Sequence, residues 1–342
     1  MSEVKPLKIG IIGAGSIVRS RHVPGIASVE GAEITAVCNS TLESAQKFCA
    51  DCAPNAEPVA EYPEVIAHDN VDIVWIGTPP YRHCELTTTA LRAGKHVFCQ
   101  ARMAMDLAEA QLMWEASLSN PELVAALCPP PMGMKGDLWM KQALSEGIIG
   151  DPHQIVLRSM QANYLDKEAP AHWRQRYEIS GLQTLTMGIY VEVLQRWLGN
   201  IRTVSAHEAT ITPVRDGYEV QIPDLLNVLC SFDSGVEGSL TFSGVAEHAG
   251  GDRLEIYGSE GTIFYNFEDE TIQLGKRGST LESVEIPEDM EKQWSVEADF
   301  LNAVRDSSLP RPEPDFTEGL SYMRVVQAVQ ESINTGARVR IP

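Results

Sequence analysis

A glycine-rich turn near the start of the sequence has the residue types and spacing to bind a nucleotide. An apolar run leads directly into Gly13 and Gly15, and an amphipathic pattern follows. Gly13 permits a tight turn, Gly15 lets the backbone approach a pyrophosphate, and the helix start offers N–H groups at Ser16 and Ile17. Val18 stands where glycine or alanine is usual, so helix and strand should pack less closely. The context favours a dinucleotide site over a purely structural turn.

The end of the second predicted strand bears on the form of the coenzyme. It reads Asn39-Ser40-Thr41, with a neutral side chain where a carboxylate would bind the ribose 2′-hydroxyl and repel a 2′-phosphate. No arginine adjoins it. NAD and NADP therefore both stay open, with a slight lean towards NADP.

A proline-rich turn after the predicted strand Val71–Gly77 is placed to meet the nicotinamide ribose. It contains Thr78-Pro79-Pro80 and is followed by His83. His83 has two interpretations, a ligand contact or a cap of the next helix, and the cap is favoured.

Composition restricts the class of protein. With 27 basic and 47 acidic residues the formal charge is −20, and no basic cluster is present, which argues against a nucleic-acid partner. No segment reaches the roughly 18 apolar residues of a membrane helix, and no export signal is recognisable. Seven cysteines, an odd number, fit reduced thiols. We therefore expect a cytoplasmic protein, and since no histidine or cysteine group has ligand spacing, we expect no metal.

The elements that must position these turns alternate through residues 1–128, which predict a dinucleotide-binding Rossmann domain. Short apolar runs separated by amphipathic helices indicate a doubly wound parallel sheet. The strands are expected at Leu7–Ile12, Ala32–Cys38, Val71–Gly77, His96–Cys99 and Leu123–Leu127.

Residues 129–342 predict an α+β domain for substrate binding and oligomerisation. After three prolines come two helices, Leu138–Glu146 and Leu182–Leu198, and then strands that follow one another without helices between them. This order predicts an open, mostly antiparallel sheet, whose free face favours self-association. Two placements are open for the C-terminal helix: it packs within this domain or back on the first domain.

These segments together resemble the glucose–fructose oxidoreductase / inositol dehydrogenase family (Gfo/Idh/MocA). The resemblance covers nearly the whole chain and rests on the order of several motifs: the glycine turn, Thr78-Pro79-Pro80 with His83, Ala93-Gly94-Lys95-His96-Val97, Trp173-Arg174, Tyr257-Gly258-Ser259-Glu260-Gly261, and Thr335-Gly336. It implies NAD(P)-linked oxidation or reduction of sugars and polyols. It also implies a two-domain subunit that forms a homodimer or homotetramer through the carboxyl-terminal sheet.

The sequence departs from the family at the position of a catalytic lysine. Where the family carries Glu-Lys-Pro, this chain reads Gln100-Ala101-Arg102. Ala101 exchanges no proton, and the guanidinium of Arg102 stays charged and is no general base. Arg102 is left with two roles, a clamp for a carboxylate or phosphate, or a surface ion pair. Lys135, on the loop after the prolines, is a weaker candidate to replace the lysine.

A second family signature places aspartate and histidine four residues apart on a helix facing the nicotinamide. Thr186 and Tyr190 occupy these places here, and Gln183 lies one turn earlier on the same predicted face. Tyr190 is the expected proton donor; the alternative is a core tyrosine bonded to backbone. A phenol that ionises near pH 10 is a poor base, so carbonyl reduction should run more readily than alcohol oxidation near pH 7.

The leading hypothesis is an NAD(P)-dependent oxidoreductase that acts on a sugar- or polyol-like carbonyl or hydroxyl. The alternatives are a redox-neutral lyase, epimerase or glycoside-cleaving enzyme that retains NAD, and a non-catalytic NAD(P)-binding sensor. The expected catalytic residues are Tyr190, Thr186, Gln183 and Arg102. The expected coenzyme contacts are Gly13, Gly15, Ser16, Ile17, Asn39, Ser40, Thr41, Thr78, Pro79, Pro80, His83, Gln100, Ala101, Trp173 and Arg174.

Overall fold

The first part of the chain forms a parallel sheet, in a computed structural model that describes residues 6–342. Its strands are β1 (Leu7–Ile12), β2 (Ala32–Cys38), β3 (Glu57–Val59), β4 (Ile73–Ile76), β5 (His96–Cys99) and β6 (Ala125–Leu127). They lie in the order β3-β2-β1-β4-β5-β6, and each pairing is parallel. The doubly wound Rossmann architecture is confirmed. The short β3 was not predicted.

Helices connect these strands and bury their apolar sides. They are α1 (Val23–Ala27), α2 (Leu42–Cys52), α3 (Tyr62–Ala67), α4 (His83–Arg92) and α5 (Leu107–Leu118). The predicted helix over residues 16–27 is divided: Val18–His22 form a π-helical turn and α1 follows, with Pro24 in its first turn. Val18 is fully buried beside Gly77, where its side chain fills the space of a Cβ. The wider π turn accommodates the valine that replaces glycine or alanine in the motif.

The second part of the chain contains the helices α6 (Asp137–Ser145), α7 (Tyr177–Ser180) and α8 (Met187–Leu198). Its strands are β7 (Pro152–Met160), β8 (Ile201–Ala209), β9 (Val214–Arg215), β10 (Tyr218–Glu219), β11 (Leu225–Phe232), β12 (Glu237–Ser243), β13 (Arg253–Gly258), β14 (Gly261–Asn266), β15 (Thr271–Lys276) and β16 (Glu282–Ser283).

These strands form the predicted mixed, mostly antiparallel sheet. With β17 (Val339–Arg340) the order is β16-β15-β14-β13-β7-β12-β11-β8-β17, and β9 and β10 pair separately. Within this second sheet β7 and β12 pair in parallel, and the other described pairings are antiparallel. Helix α8 covers one face, where the Tyr190 ring lies 5.0 Å from the Phe267 ring and Trp197 lies 5.4 Å from Tyr265.

The C-terminal helices are α9 (Val296–Arg305) and α10 (Phe316–Thr335). The described chain divides into a first unit, up to Pro129 with Ser295–Leu320, and a second unit, Pro130–Trp294 with Ser321 onwards. The sequence assigned residues 129–342 to the second domain and left open a C-terminal helix that packs back on the first. In the structure residues 295–320, which contain α9 and the start of α10, pack with the first unit. The reason is the apolar side of α9, where Phe300 contacts Trp75 and Phe98 at ring distances of 5.7 and 5.5 Å.

Between residues 6 and 342, no helix is both long and apolar enough to span a bilayer.

Candidate active site

The glycine turn has the shape expected of a phosphate cradle. Gly13 has φ +88°, and a Cβ there would lie 2.6 Å from the Thr78 nitrogen, so only glycine fits. A Cβ on Gly15 would meet no atom within 4 Å. Gly15, Ser16 and Ile17 are all exposed at the start of the following helical segment. The backbone here faces open space large enough for a ligand to approach it.

Two of the three residues after β2 make local hydrogen bonds, and the third is exposed to solvent. Asn39 Oδ1 accepts a hydrogen bond from the Ala14 N–H at 3.3 Å, so its amide fastens the glycine turn. Thr41 caps α2, accepting the Ser44 N–H at 3.1 Å. Ser40 is exposed. This end of β2 thus offers neutral groups where a ribose would lie.

The turn after β4 contains a buried hydroxyl without a hydrogen-bond partner. Among residues 6–342, Thr78 Oγ1 has no hydrogen-bond partner. Such a group costs free energy unless a ligand or water satisfies it. Pro79 is half-buried and Pro80 is buried, which holds the hydroxyl in place. The orphaned hydroxyl, beside the open glycine turn, fits the presence of a bound dinucleotide at this edge.

His83 connects two turns of this edge. Its Nε2 lies 2.7 Å from the Thr78 carbonyl oxygen, and its Nδ1 lies 2.9 and 3.1 Å from the carbonyl oxygens of Arg102 and Met103. It is the first residue of α4 and makes no side-chain cap, so the expected capping role is wrong. Burial lowers the pKa of the His83 imidazole, although these carbonyl contacts act in the opposite direction. His83 thus links the turn after β4 to the segment after β5 through backbone carbonyl oxygens.

In the segment after β5, the side chains of Gln100 and Arg102 lie in surroundings that the sequence did not predict. Gln100 is 8% exposed and its amide contacts the buried His22, whose Nδ1 lies 2.5 Å from Glu297 Oε1. Its side chain therefore points into the first unit. Arg102 is 4% exposed, which rules out a surface ion pair. Ala101, at the place of the family lysine, is exposed.

A polar network in the second unit joins two of the expected catalytic residues to two that the sequence did not reveal. Tyr190 donates from its hydroxyl to Asp252 Oδ2 at 2.6 Å, and Ser159 donates to the same oxygen at 2.8 Å. Thr186 Oγ1 lies 2.7 Å from Ser159 Oγ. Asp252 also accepts the Met160 N–H at 3.1 Å. We call these four side chains (Ser159, Thr186, Tyr190 and Asp252) the Asp252 network.

Exposure differs within the Asp252 network. The Tyr190 ring and hydroxyl are fully buried, whereas Thr186 and Asp252 are half-buried. Burial and the adjacent Asp252 carboxylate raise the pKa of Tyr190 far above its usual range. The phenol is therefore protonated, and its proton points at Asp252. Tyr190 is bonded to a carboxylate, which neither interpretation of the sequence anticipated.

Gln183 does not share the face of Thr186 and Tyr190. Helix α8 begins at Met187, because the segment before it contains Gly181 and Leu185 with φ of 61° and 47°. The single helix predicted over 182–198 is wrong for this reason. Gln183 is buried, and its Nε2 lies 2.9 Å from the Met323 sulfur.

Two other candidates also lie in the second unit. Trp173 and Arg174 form a short 3₁₀ turn, with the guanidinium 4.2 Å from the centre of the indole ring. Arg174 is exposed. Lys135, the candidate to replace the lysine, has its Nζ 3.5 Å from Glu291 Oε1. Among the residues that the structure describes, no cluster of three or more metal-ligating side chains occurs.

Comparison with known proteins agrees with the fold and the coenzyme edge. Residues 7–126 match the profile described as "Oxidoreductase family, NAD-binding Rossmann fold". Residues 138–264 match the "GFO/IDH/MocA C-terminal domain". The chain belongs to the Gfo/Idh/MocA family of oxidoreductases, as the sequence motifs indicated.

The relatives include enzymes of sugars and polyols. A dTDP-3,4-didehydro-2,6-dideoxy-alpha-D-glucose 3-reductase of Actinomadura kijaniata is 28% identical over 275 residues, which cover 78% of this chain and 76% of the relative. An inositol 2-dehydrogenase of Salmonella paratyphi B is 30% identical over 46% of this chain and 47% of its own length. A D-xylose 1-dehydrogenase (NADP(+)) of Hypocrea jecorina is 28% identical over 66% and 62%.

Solved structures share the fold. A levoglucosan dehydrogenase in complex with NADH superimposes with a TM-score of 0.87 at 21% identity, covering 99% of this chain and 100% of the other. The WlbA dehydrogenase of Bordetella pertussis, in complex with NADH and UDP-GlcNAcA, gives a TM-score of 0.83 at 20% identity, with 99% of both chains covered.

Proposed function

We propose that this protein is an NAD(P)-linked oxidoreductase of a carbohydrate-like CH–OH or C=O group. The observation that carries the proposal is the coenzyme edge of the first unit. There a glycine turn opens to solvent next to the orphaned Thr78 hydroxyl. Membership of an NAD-binding oxidoreductase family supports it, as do the sugar and polyol names of the relatives.

The residues of this edge have distinct tasks toward a dinucleotide. The coenzyme, when bound, supplies or accepts the hydride. The exposed backbone of Gly15, Ser16 and Ile17 would hold its pyrophosphate, with the positive end of the helical segment behind it. The Thr78 hydroxyl would bond its ribose and so lose its orphaned state. His83 keeps the turn after β4 in place through the Thr78 carbonyl.

The choice between NAD and NADP depends on the charge of the side chains at the end of β2. Asn39 and Ser40 are neutral, so nothing there repels a 2′-phosphate. We propose that the protein accepts NADP as well as NAD, with a slight preference for NADP. The NADP-dependent D-xylose dehydrogenase among its relatives supports this reading.

We propose that Tyr190 and Asp252 exchange the substrate proton as a pair. The buried phenol already donates to Asp252, so direct donation by Tyr190 to a substrate oxygen would first have to break that bond. Asp252 is the half-exposed member. When an alcohol is oxidised, its carbon loses hydride and its oxygen loses a proton, which the Asp252 carboxylate accepts and later releases to water. Carbonyl reduction is the reverse, with the carboxylic acid returning the proton.

This assignment supplies the base that a lone tyrosine lacks. Ser159 and Tyr190 hold the carboxylate by two hydrogen bonds to one oxygen, and the backbone of Met160 holds the other oxygen. The proposed step does not use Arg102 or Gln183, both of which are buried.

Direct titration tests the proposal. The full chain should bind NADH and NADPH with saturable heat in calorimetry. Gly15→Glu should abolish binding, because its carboxylate would occupy the pyrophosphate position. Ser20→Glu, an exposed charge-matched control in the following turn, should leave binding nearly unchanged. Absence of heat with both coenzymes would overturn the proposal.

Turnover on a panel then separates the functional alternatives. We would follow nicotinamide absorbance with levoglucosan, myo-inositol, D-xylose and 1,5-anhydro-D-fructose. A lasting absorbance change supports the oxidoreductase. Substrate conversion without net change would instead indicate redox-neutral chemistry, and binding without any conversion a sensor.

We also propose that a second copy of the chain covers the outer face of the large sheet. One row of this face contains Leu229 on β11, Ser239 on β12, Val156 on β7, Glu255 on β13 and Phe264 on β14. Leu229 is 63% exposed, and Val156 and Phe264 are half-buried. Leu229, Val156 and Phe264 are the apolar members of this row, and apolar side chains that solvent reaches on one sheet face are typical of an interface.

A further inference from the structure

A cavity of about 370 Å³ lies at the edge of the first unit's sheet opposite the glycine turn. It is formed where three strands begin. Leu7 starts β1, Asp72 leads into β4, and Lys95 and His96 lead into β5. The glycine turn and Thr78 follow the other ends of β1 and β4. At about 3.3 Å per residue, β1 separates the two edges by roughly 20 Å, so the cavity is distinct from the coenzyme edge.

Two cationic side chains, those of Lys95 and Arg305, line this cavity. Lys95 Nζ donates to the Val71 carbonyl at 2.6 Å and to the His68 carbonyl at 3.5 Å. Arg305, at the end of α9, donates from Nη2 to the Glu30 carbonyl. Neither is within ion-pair distance of a carboxylate among residues 6–342. The chain has a net charge of −20, so two cationic side chains on one cavity give it a more positive lining than the charge of the whole chain would suggest.

Lys95 and Arg305 have more N–H groups than the hydrogen bonds described above use. A guanidinium has five N–H groups, and an ammonium group has three. The Nε–H of Arg305 is buried and has no acceptor in the described part of the chain. Leaving a charged donor in this state is unfavourable, so an acceptor from outside the protein would be bound with a gain.

The other polar residues of the lining indicate the charge that a ligand of this cavity should carry. His96 Nδ1 accepts the Val124 N–H at 2.9 Å, so its neutral ring carries the proton on Nε2 and is not an acceptor there. Asp72 is the acidic residue of the lining, and its Oδ2 faces the Lys8 N–H at 3.3 Å. Two positive charges thus oppose one negative charge. The volume lies at the small end of ligand sites, which extend from about 300 to 1,000 Å³.

We propose that this cavity is a second binding site, separate from the coenzyme site, for a small ligand with a phosphate group. Lys95 and Arg305 are its charged contacts. Leu7, Val71 and Val304 form an apolar wall that would contact the ligand's organic part. Inorganic phosphate contains the recognised group and is the simplest probe.

Calorimetry with inorganic phosphate at constant ionic strength tests the site. The full chain should bind phosphate saturably with a Kd in the millimolar range, and added NADH should leave this Kd unchanged. Arg305→Gln and Lys95→Gln should each weaken binding by roughly tenfold or more, since each removes a charge-assisted hydrogen bond. Lys47→Gln, an exposed lysine of α2 in the same unit, is the matched control and should change the Kd less than about twofold.

A variant that is expected to strengthen phosphate binding distinguishes a real site from loss of binding through misfolding. Asp72→Asn keeps an oxygen acceptor for Lys8 but removes the opposing charge, so it should tighten phosphate binding. Displacement of phosphate by NADH would assign the binding to the coenzyme edge and overturn the proposal. So would absence of saturable binding, or an equal Kd in all four variants.

Discussion

The hydroxyl of Tyr190 lies 2.6 Å from Asp252 Oδ2, which ties a buried phenol to a half-exposed carboxylate 62 residues later in the chain. Asp252 comes from a loop before β13 and accepts the phenol proton of Tyr190 in a hydrogen bond. In the proposed function the Asp252 carboxylate, rather than the phenol, exchanges the substrate proton.

Replacement of the two partners should have unequal effects. Asp252→Asn should lower the rate of alcohol oxidation by about 100-fold or more, because it removes the proton acceptor. Tyr190→Phe should lower it less, and should reduce the free energy of unfolding by about 1.5–3 kcal/mol through loss of a hydrogen bond to a charged group. Rates in both directions and urea unfolding measure the two effects.

The matched control for this pair is Asp233→Asn, an exposed aspartate of the same unit. Its rates should equal those of the parent. If Tyr190→Phe abolishes carbonyl reduction while Asp252→Asn preserves it, the phenol itself donates the proton and the pair assignment is incorrect.

Thr78→Val should separate coenzyme binding from stability. The valine methyl replaces a hydroxyl that has no partner in the described residues, so the free protein should be equally or slightly more stable. NADH binding should weaken by about fivefold, the equivalent of one lost hydrogen bond. Thermal unfolding with and without NADH measures both. Loss of stability in the free protein would show that the hydroxyl has a structural role.

Asn39→Asp should change the coenzyme preference. The carboxylate keeps an oxygen for the Ala14 N–H, so the glycine turn should be retained, while its charge repels a 2′-phosphate. We expect NADPH affinity to fall by at least about tenfold and NADH affinity to hold or improve. Fluorescence titration of both reduced coenzymes in parent and variant provides the ratio. Equal losses for both coenzymes would indicate damage to the turn instead.

The buried His83 should make stability depend on pH. Burial lowers its pKa in the folded protein, so below about pH 6.5 the unfolded chain binds the extra proton. The free energy of unfolding should therefore fall as the solution is acidified from neutrality, by up to about 1.4 kcal/mol per pH unit for this one group. His83→Gln should flatten the curve between pH 5 and 7, relative to the parent. Parallel curves for the two proteins would contradict the assignment.

Leu229→Glu should disrupt the proposed assembly. It places a charge at the most exposed apolar side chain of this row, and light scattering coupled to gel filtration should then report a lower mass than for the parent. Leu112→Glu on α5 is the control, since Leu112 is 52% exposed against 63% for Leu229 and lies in the other unit. A monomeric parent would refute self-association through this face.

Much of the first unit was readable from the sequence because its central strands β1, β4 and β5 are almost completely buried. The predicted bounds of β1, β2 and β5 coincide with the observed ones, since apolar runs flanked by glycine or polar residues leave little freedom. The start of α8 was not readable. It depends on Leu185 in a left-handed conformation, which leucine seldom adopts and which tertiary contacts impose.

The polar contacts were less accessible because their partners are far apart in the chain. Asp252 follows two glycines in a loop and carries no local signal that it meets Tyr190. Lys95 and Arg305 meet at one cavity although about 210 residues separate them. Likewise, the place of Gln100 depends on His22 and Glu297, which come from opposite ends of the sequence.

The return of residues 295–320 to the first unit has a consequence for biosynthesis. Phe300 and Glu297 complete the core around Trp75 and His22, yet they leave the ribosome after the whole intervening segment of about 165 residues. At translation rates of about 5–20 residues per second, the nascent Rossmann half waits roughly 10–30 s with this side uncovered. During that interval the nascent chain exposes apolar surface of the kind that chaperones bind.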